Sequence, residues 1–393
     1  MPRIFIERYR LMTHSSLYHN YTHVRLDSLT GFRFVAAALV FFFHASLTKI
    51  IGFNPFADQD IIAGFQRLFS VGGWIGVSFF FVLSGFVITW SARQNDTLGA
   101  FWRRRLVKIY PNHLVTFALA MILFAVPLTA VSAWLPNLLL IHAWVPDMSV
   151  FLSVNGPSWS LCCELVFYLA FPFLLRALWK VPADRLWPIA GLVVCAMAAT
   201  QWLIAEFVTG APQIVEYPIA LNQWWLAYYF PPLRLFEFVI GMLMARILMA
   251  GRWPAIPVAP ALALMAAAYF VAGEMPFIYS LTLTTVIPIA FLITSLAAAD
   301  VAQRSSWFRH PRMVWLGEIS FGFYMIHLLI MMCVTSLLDG QRFAIAPAFL
   351  ILAATFCLSL LGGWLLFACV ERPAMRRWGK AAPLERPLGV PQL

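Results

Sequence analysis

Runs of about 20 apolar residues recur from one end of this chain to the other, and they decide what it can fold into. A helix needs about 20 such residues to cross a bilayer. In lipid every backbone N–H and C=O must find its partner within the protein, which leaves helices as the natural spanning form for such runs. The runs predict spans near 32–51, 71–90, 113–133, 161–179, 187–208, 224–249, 256–272, 277–298, 318–338 and 346–370. The chain is 62% hydrophobic and 11% charged, against about 45–50% and about 25% in an ordinary soluble domain. Too few polar groups remain to cover a water-facing surface. The expected fold is an all-α integral membrane protein, a bundle of about ten transmembrane helices.

The net charge of +10 raises the question of nucleic acid, and its distribution answers it. The cations form short clusters between apolar runs rather than one phosphate-binding stripe, so no nucleic-acid partner is expected. With the N-terminus placed in the cytoplasm, and with Lys49, Arg176 and Arg246 at span ends counted with the adjoining connections, 22 of the 27 basic residues are cytoplasmic, three are external and two, Arg33 and Arg234, lie within spans. Cytoplasmic loops carry the Lys and Arg excess, so both termini are expected to be cytoplasmic. The domain reading is a polar cytoplasmic segment over 1–24, a membrane domain over 25–373 and a short basic tail over 374–393. The six cysteines lie in or beside apolar runs without CxxC spacing and read as packing residues. His19 and His23 have i, i+4 spacing but no third ligand, so no metal site is expected. The external connection 134–160, rich in Trp and Pro, is expected to fold back as a re-entrant or interfacial piece.

Ionisable groups inside a bilayer are costly, and each needs a reason. Arg33 and His44 lie eleven residues apart on the first span. Eleven steps of about 100° return to within about 20° of the starting face, after a rise of about 16 Å. Both side chains therefore line one wall, with Arg33 near the cytoplasmic end and His44 in the middle. Arg33 suits a phosphate or carboxylate, whereas His44 suits proton abstraction from a hydroxyl. The bland alternatives are a snorkelling anchor and an interhelical hydrogen bond. Gly72 and Gly76 form a GxxxG pair that invites close helix packing. In Arg103-Arg104-Arg105-Leu106-Val107-Lys108-Ile109-Tyr110-Pro111 four cations within six residues precede an aromatic–proline break, and a nucleotide-like phosphate donor is a natural partner. Membrane anchoring by anionic lipid is the plain alternative. Glu164, one turn inside its span, fits orientation of an imidazole, acceptance of a sugar hydroxyl or pairing with an Arg. Arg234 and Glu237, three apart, read as a pair that neutralises itself. His327, in mid-span, reads as a structural hydrogen-bonding residue.

In order along the chain these blocks resemble membrane acyltransferase family 3, which includes O-antigen and exopolysaccharide O-acetyltransferases. The resemblance runs from about Arg25 to Pro373. It rests on Arg25-Leu26-Asp27-Ser28-Leu29-Thr30-Gly31-Phe32-Arg33 with His44 eleven beyond, and on Gly76-Val77-Ser78-Phe79-Phe80-Phe81-Val82-Leu83-Ser84-Gly85-Phe86. The Phe101 to Pro111 block, Trp159-Ser160-Leu161 with Glu164 and Phe167-Tyr168-Leu169, Ser320…Tyr324…His327 and Glu371-Arg372-Pro373 complete it. Ser28 and Thr30 depart from the family's usual Gly and Arg, and Lys108 stands at its usual final arginine. The resemblance implies transfer of an acyl group, usually acetyl, from cytoplasmic acyl-CoA as co-substrate to an acceptor hydroxyl, with no permanently bound cofactor. It implies Arg33 and His44 as essential and Arg103, Arg104, Arg105 and Lys108 as candidate donor-phosphate ligands; in the mechanism expected from this, Glu164 orients His44. The implied partners are the donor, a glycan or other hydroxyl acceptor, membrane lipid and polysaccharide assembly proteins, in a bacterial inner membrane. No SGNH-type hydrolase domain follows, so transfer is expected to finish within the membrane unit or with a separate partner. The rival reading is a transporter or flippase for a glycan, lipid or amphiphile.

Overall fold

The computed structural model describes residues 24–92, 96–126, 129–209, 212–214 and 217–379. Most of the two terminal segments, and with them His19 and His23, lie outside the described residues. Long helices stand at all ten positions read from the sequence: α1 Asp27–Ser46, α2 Gly72–Trp90, α3 Leu98–Ala120, α4 Trp159–Trp179, α5 Leu186–Phe207, α6 Pro231–Met249, α7 Val258–Glu274, α8 Leu283–Val301, α9 Pro311–Leu338 and α10 Ile345–Leu366. No strand occurs among the described residues. Eight of the ten lie in segments long and apolar enough to cross a membrane. The exceptions have physical causes. α6 carries Arg234, Glu237 and Arg246, and α7 has 17 residues.

Helix ends follow local chemistry. α9 starts where the His310 side chain accepts from Arg312 N at 3.3 Å and Pro311 fills the first position, where no N–H is needed. It ends on Asp339 at φ 46, followed by Gly340 at φ 73, a left-handed stop of the kind that satisfies terminal carbonyls. α3 starts on Thr97, which accepts from Ala100 N at 3.2 Å. The chain was expected to be non-helical through Tyr110-Pro111, with a span opening at 113. Instead the helix runs continuously through Pro111. Proline removes one backbone bond, a loss that helices in lipid tolerate when neighbours satisfy the freed group. The basic block is thus helical, with one face turned inward.

Small residues set the packing. α1 lies between α2 and α9, and a Cβ at Gly72 or Gly76 would stand 3.1 Å from Leu39 O or 2.7 Å from Ala36 O. The GxxxG pair therefore seats α1. Gly85 and Gly241 seat α2 on α6 in the same way: a Cβ at either would meet the facing carbonyl, Phe238 O or Val82 O, at 1.9 Å. The N-terminus of α1 is tied down by Asp300, which accepts from Ser28 N at 2.8 Å and Ser28 Oγ at 2.7 Å.

The connection after α3 folds back into the bundle. Asn137 Nδ2 donates to Ser153 O at 2.7 Å and Ser158 Oγ at 3.1 Å, while His113 Nε2 meets Asn137 O at 3.0 Å. His142 is fully buried here, with Nε2 3.2 Å from Ser158 Oγ. Burial, reinforced by His113, pushes its imidazole down to about 3. Asn155 Nδ2 donates to Met325 O at 3.0 Å and Tyr324 Oη donates to Pro157 O at 3.1 Å, which locks this segment onto α9.

Candidate active site

Arg33 and His44 do share one helix, but α1 ends at Ser46, so His44 occupies its last turn rather than mid-span. Ile50 and Ile51 extend the apolar pattern past Thr48 and Lys49, yet the backbone breaks at Leu47 and restarts as the short helix Thr48–Ile51. The Arg33–His44 pair therefore measures out just over half of the α1 wall, about 16 Å apart along the axis.

At the Arg33 end, α1, α2, α3, α4 and α9 surround a cavity enclosing about 100 Å³. Arg33, Lys108 and Glu164 supply its charges; Val77, Phe80, Phe81, Leu161 and Phe321 supply most of its apolar wall, with Ser160 and Tyr324 also lining it. Arg33 forms no hydrogen bond or ion pair with another described residue. Instead it lies in the field of three carboxylates, Glu371, Glu164 and Glu318. A planar guanidinium that pairs with no described residue, on the wall of a mostly apolar cavity, suits a ligand anion that carries an apolar arm.

The four cations of the basic block divide by helix face. Lys108 lines the cavity, pairs with Glu371 and sits 5.7 Å from the Phe321 ring centroid. Arg105 lies against the Phe101 and Tyr168 rings and acts on Glu164. Arg104 is paired with Asp96, and Arg103 is exposed. Of the four, Lys108 alone lines the cavity; Arg105 stands behind it against the Tyr168 ring, and Arg103 and Arg104 lie off its wall. Glu371, 2% exposed, also accepts from Asn112 Nδ2 at 3.0 Å, so it fixes the inward face of α3 to the end of α10.

Glu164 is where the sequence placed it, inside α4, but it does not hold His44. It accepts from the Tyr168 hydroxyl and lies in the field of Arg105, Arg33 and Lys108. The partner of His44 is His327: Nδ1 of His44 stands 2.8 Å from Nε2 of His327. Nδ1 of His327 in turn stands 2.7 Å from Tyr324 O. His327 read from the sequence as a structural residue, and the signal for more was an ionisable ring in the middle of an apolar run. The cavity and the histidine pair meet at Tyr324. Its hydroxyl is 3.0 Å from Ser160 Oγ, and its ring lies 6.0 Å from that of Phe80 and 5.9 Å from that of His327.

Arg234 and Glu237 form the buried self-neutralising pair expected, with Nε to Oε2 at 2.8 Å. The Tyr228 and Phe81 rings flank the guanidinium. All six cysteines are free.

Comparison with known proteins adds to this geometry. The model of the family described as an acyltransferase domain matches residues 26–368. The chain is 38% identical to "Acyltransferase MdmB" of Streptomyces mycarofaciens, over 92% of this chain and 94% of that protein. It is 29% identical to "Peptidoglycan O-acetyltransferase OatA" of Listeria monocytogenes, over 77% of this chain and 51% of that protein. "Nodulation protein 10" of Rhizobium leguminosarum is 30% identical over 44% of this chain and 49% of that protein. No solved structure matches.

Proposed function

The chain belongs to the acyltransferase family whose model spans residues 26–368, and from that premise we propose that it moves an acyl group, typically acetyl, from cytoplasmic acyl-CoA to a hydroxyl of a glycan such as an exopolysaccharide or O-antigen. The observation that carries this reading is the α1 wall. Arg33, which pairs with no other described residue, faces a cavity at one end, and His44 sits about 16 Å away at the other. A coenzyme thioester would lie along this wall, with its phosphates at Arg33 and its pantetheine arm directed toward His44. Arg33, Lys108 and Arg105 are the phosphate ligands best placed, and Arg103 and Arg104 serve the approach. In this reading all ten long helices cross the inner membrane of a bacterium, both termini are cytoplasmic, and the Arg33 end of the cavity faces the donor pool.

In the transfer step His44 takes the proton of the acceptor hydroxyl as that oxygen attacks the thioester carbonyl. The new C–O bond forms and the C–S bond breaks. The proton passes from His44 to the departing thiolate, so CoA leaves as the thiol and His44 is neutral again. Glu164 and Lys108 set the charge balance around Arg33 while donor phosphate enters. The partners are the acyl-CoA, the glycan, surrounding lipid and polysaccharide assembly proteins that deliver the acceptor.

The test is transfer by purified protein in nanodiscs, supplied with radiolabelled acetyl-CoA and lipid-linked or free glycans. Label on glycan, lost in Arg33→Ala and His44→Ala proteins that remain folded, is the expected result. No CoA release with any acceptor or acyl length would direct attention to the transporter reading, with flux as the next assay.

A further inference from the structure

Resting on the acyltransfer reading above, we propose that His327 is the positioning residue of the site, fixing His44 in the tautomer that carries its proton on Nδ1 and presents a bare Nε2 as the base. The argument is one of donors and acceptors. A backbone carbonyl can only accept, so the 2.7 Å contact between His327 Nδ1 and Tyr324 O requires the proton on His327 Nδ1. In a neutral imidazole the other nitrogen is then an acceptor. His44 Nδ1 lies 2.8 Å from that nitrogen and must therefore supply the proton between the rings. The Val40 carbonyl, one turn back on α1, also acts on the His44 ring and it too can only accept. Nε2 of His44 forms no hydrogen bond with another described residue and keeps its lone pair.

The relay is held rigidly. His327 is fully buried, with its ring nearly parallel to Phe323 at 6.0 Å and 17°. The turn that carries it is pinned from outside by Asn155 on Met325 O and by Pro157 O on the Tyr324 hydroxyl. Among the described residues no carboxylate acts on either imidazole. A third group that orients a catalytic histidine is often an aspartate. Here a neutral ring takes that place, and a neutral ring costs far less to bury in lipid than a carboxylate. When His44 accepts the hydroxyl proton on Nε2 its charge strengthens the Nδ1–H···Nε2 bond. His327 thus stabilises the transient imidazolium without touching substrate.

The experiment compares His327→Leu, His327→Gln and His327→Asn with wild type and His44→Ala, as full-length protein in nanodiscs with radiolabelled acetyl-CoA and lipid-linked glycan. The Gln amide oxygen reaches the position of the ring acceptor, whereas the Asn side chain is one methylene short. Expected for Leu is a fall in kcat on the order of 100-fold, with KM for acetyl-CoA unchanged. Gln is expected to restore kcat to within about tenfold of wild type, and Asn not to do so. If Leu does not fold, the Gln–Asn contrast decides alone. Equal activity of Gln and Asn, or wild-type kcat in a folded Leu variant, would overturn the assignment while leaving His44 as base. A wild type that transfers no label would instead overturn the acyltransfer reading, and a fully active His44→Ala would remove His44 as the base; the assignment of His327 falls with either.

Discussion

Among the described glycines, Gly317 leaves the least room for a side chain, where α9 crosses the start of α1, and it offers a way to move the site without touching it. A Cβ added at Gly317 would stand 1.7 Å from Thr30 O, 2.5 Å from Thr30 C and 3.2 Å from Gly31 N. All three are backbone atoms, so no side chain can swing away. Ordinary contact begins at 3.4 Å, so Gly317→Ala must part the two helices by about 1.7 Å unless the backbone bends. Overpacking of this kind costs about 1–3 kcal/mol, occasionally more, and alanine returns about 1 kcal/mol through its better helix propensity. The net is a loss of up to about 2 kcal/mol, or somewhat more because the clash is with backbone, so the variant should fold with reduced stability. Its activity is another matter. Gly317 sits ten residues before His327, and the Arg33 turn begins beside Gly31, so the displacement is passed to the 2.8 Å His44–His327 contact. Misplacement by about 1 Å can cost about 100-fold in rate. The assay is labelled-acyl transfer beside thermal melting in the same detergent. Gly64→Ala, where nothing lies within 4 Å, serves as control and should lose no activity. A Gly317→Ala protein with wild-type transfer rate would refute the reasoning that backbone contact here sets the geometry of the α1 wall.

Arg33→Gln should raise KM for acetyl-CoA about 10- to 100-fold, the loss of charge-assisted hydrogen bonds worth about 1.5–3 kcal/mol; an unchanged KM would remove Arg33 from the donor site. Arg104→Ala, whose residue is paired with Asp96 off the cavity wall, should leave the same KM within about threefold, and a loss matching that of Arg33 would contradict the division of the basic block by helix face. The His142 imidazole, ordinarily near 6.5 and pushed down to about 3 by burial, adds a pH dependence. Between those values the unfolded chain binds a proton that the folded protein does not. Stability should therefore fall as pH drops below 6.5, by about 1.4 kcal/mol per pH unit. His142→Gln should flatten that acid limb in a thermal-melting series, and an identical limb would show that His142 is not its source.

The helices were legible because a bilayer demands long apolar runs whatever they pack against. The same logic exposed Arg33, His44, Glu164, Arg234, Glu237 and His327, since each interrupts such a run. Spacing alone put Arg33 and His44 on one face, and put Arg234 within reach of Glu237, because both are properties of a single helix. Gly72 and Gly76 announced a close helix approach but not its partner, α1. Contacts between distant elements were not legible. Nothing in the local sequence says that α1 meets α9, so His327 stood unassigned and Glu164 was the natural candidate to orient His44. Pro111 was misleading for a related reason: proline ends helices in water, whereas neighbours in a bundle let α3 continue and turn Lys108 inward. The end of α1 at Ser46 was hidden because Leu47, Ile50 and Ile51 carry the apolar pattern past it.

The central claim is that the donor enters the cavity at the Arg33 end and that transfer is completed at His44, and donor sidedness tests it most directly. The protein would be reconstituted in sealed vesicles in one known orientation, with glycan present on both sides and radiolabelled acetyl-CoA added to one face at a time. Labelled glycan is expected only when donor is on the face bearing residues 96–112, and only with His44 intact. Equal labelling from the opposite face, or labelling that survives His44→Ala, would contradict the account.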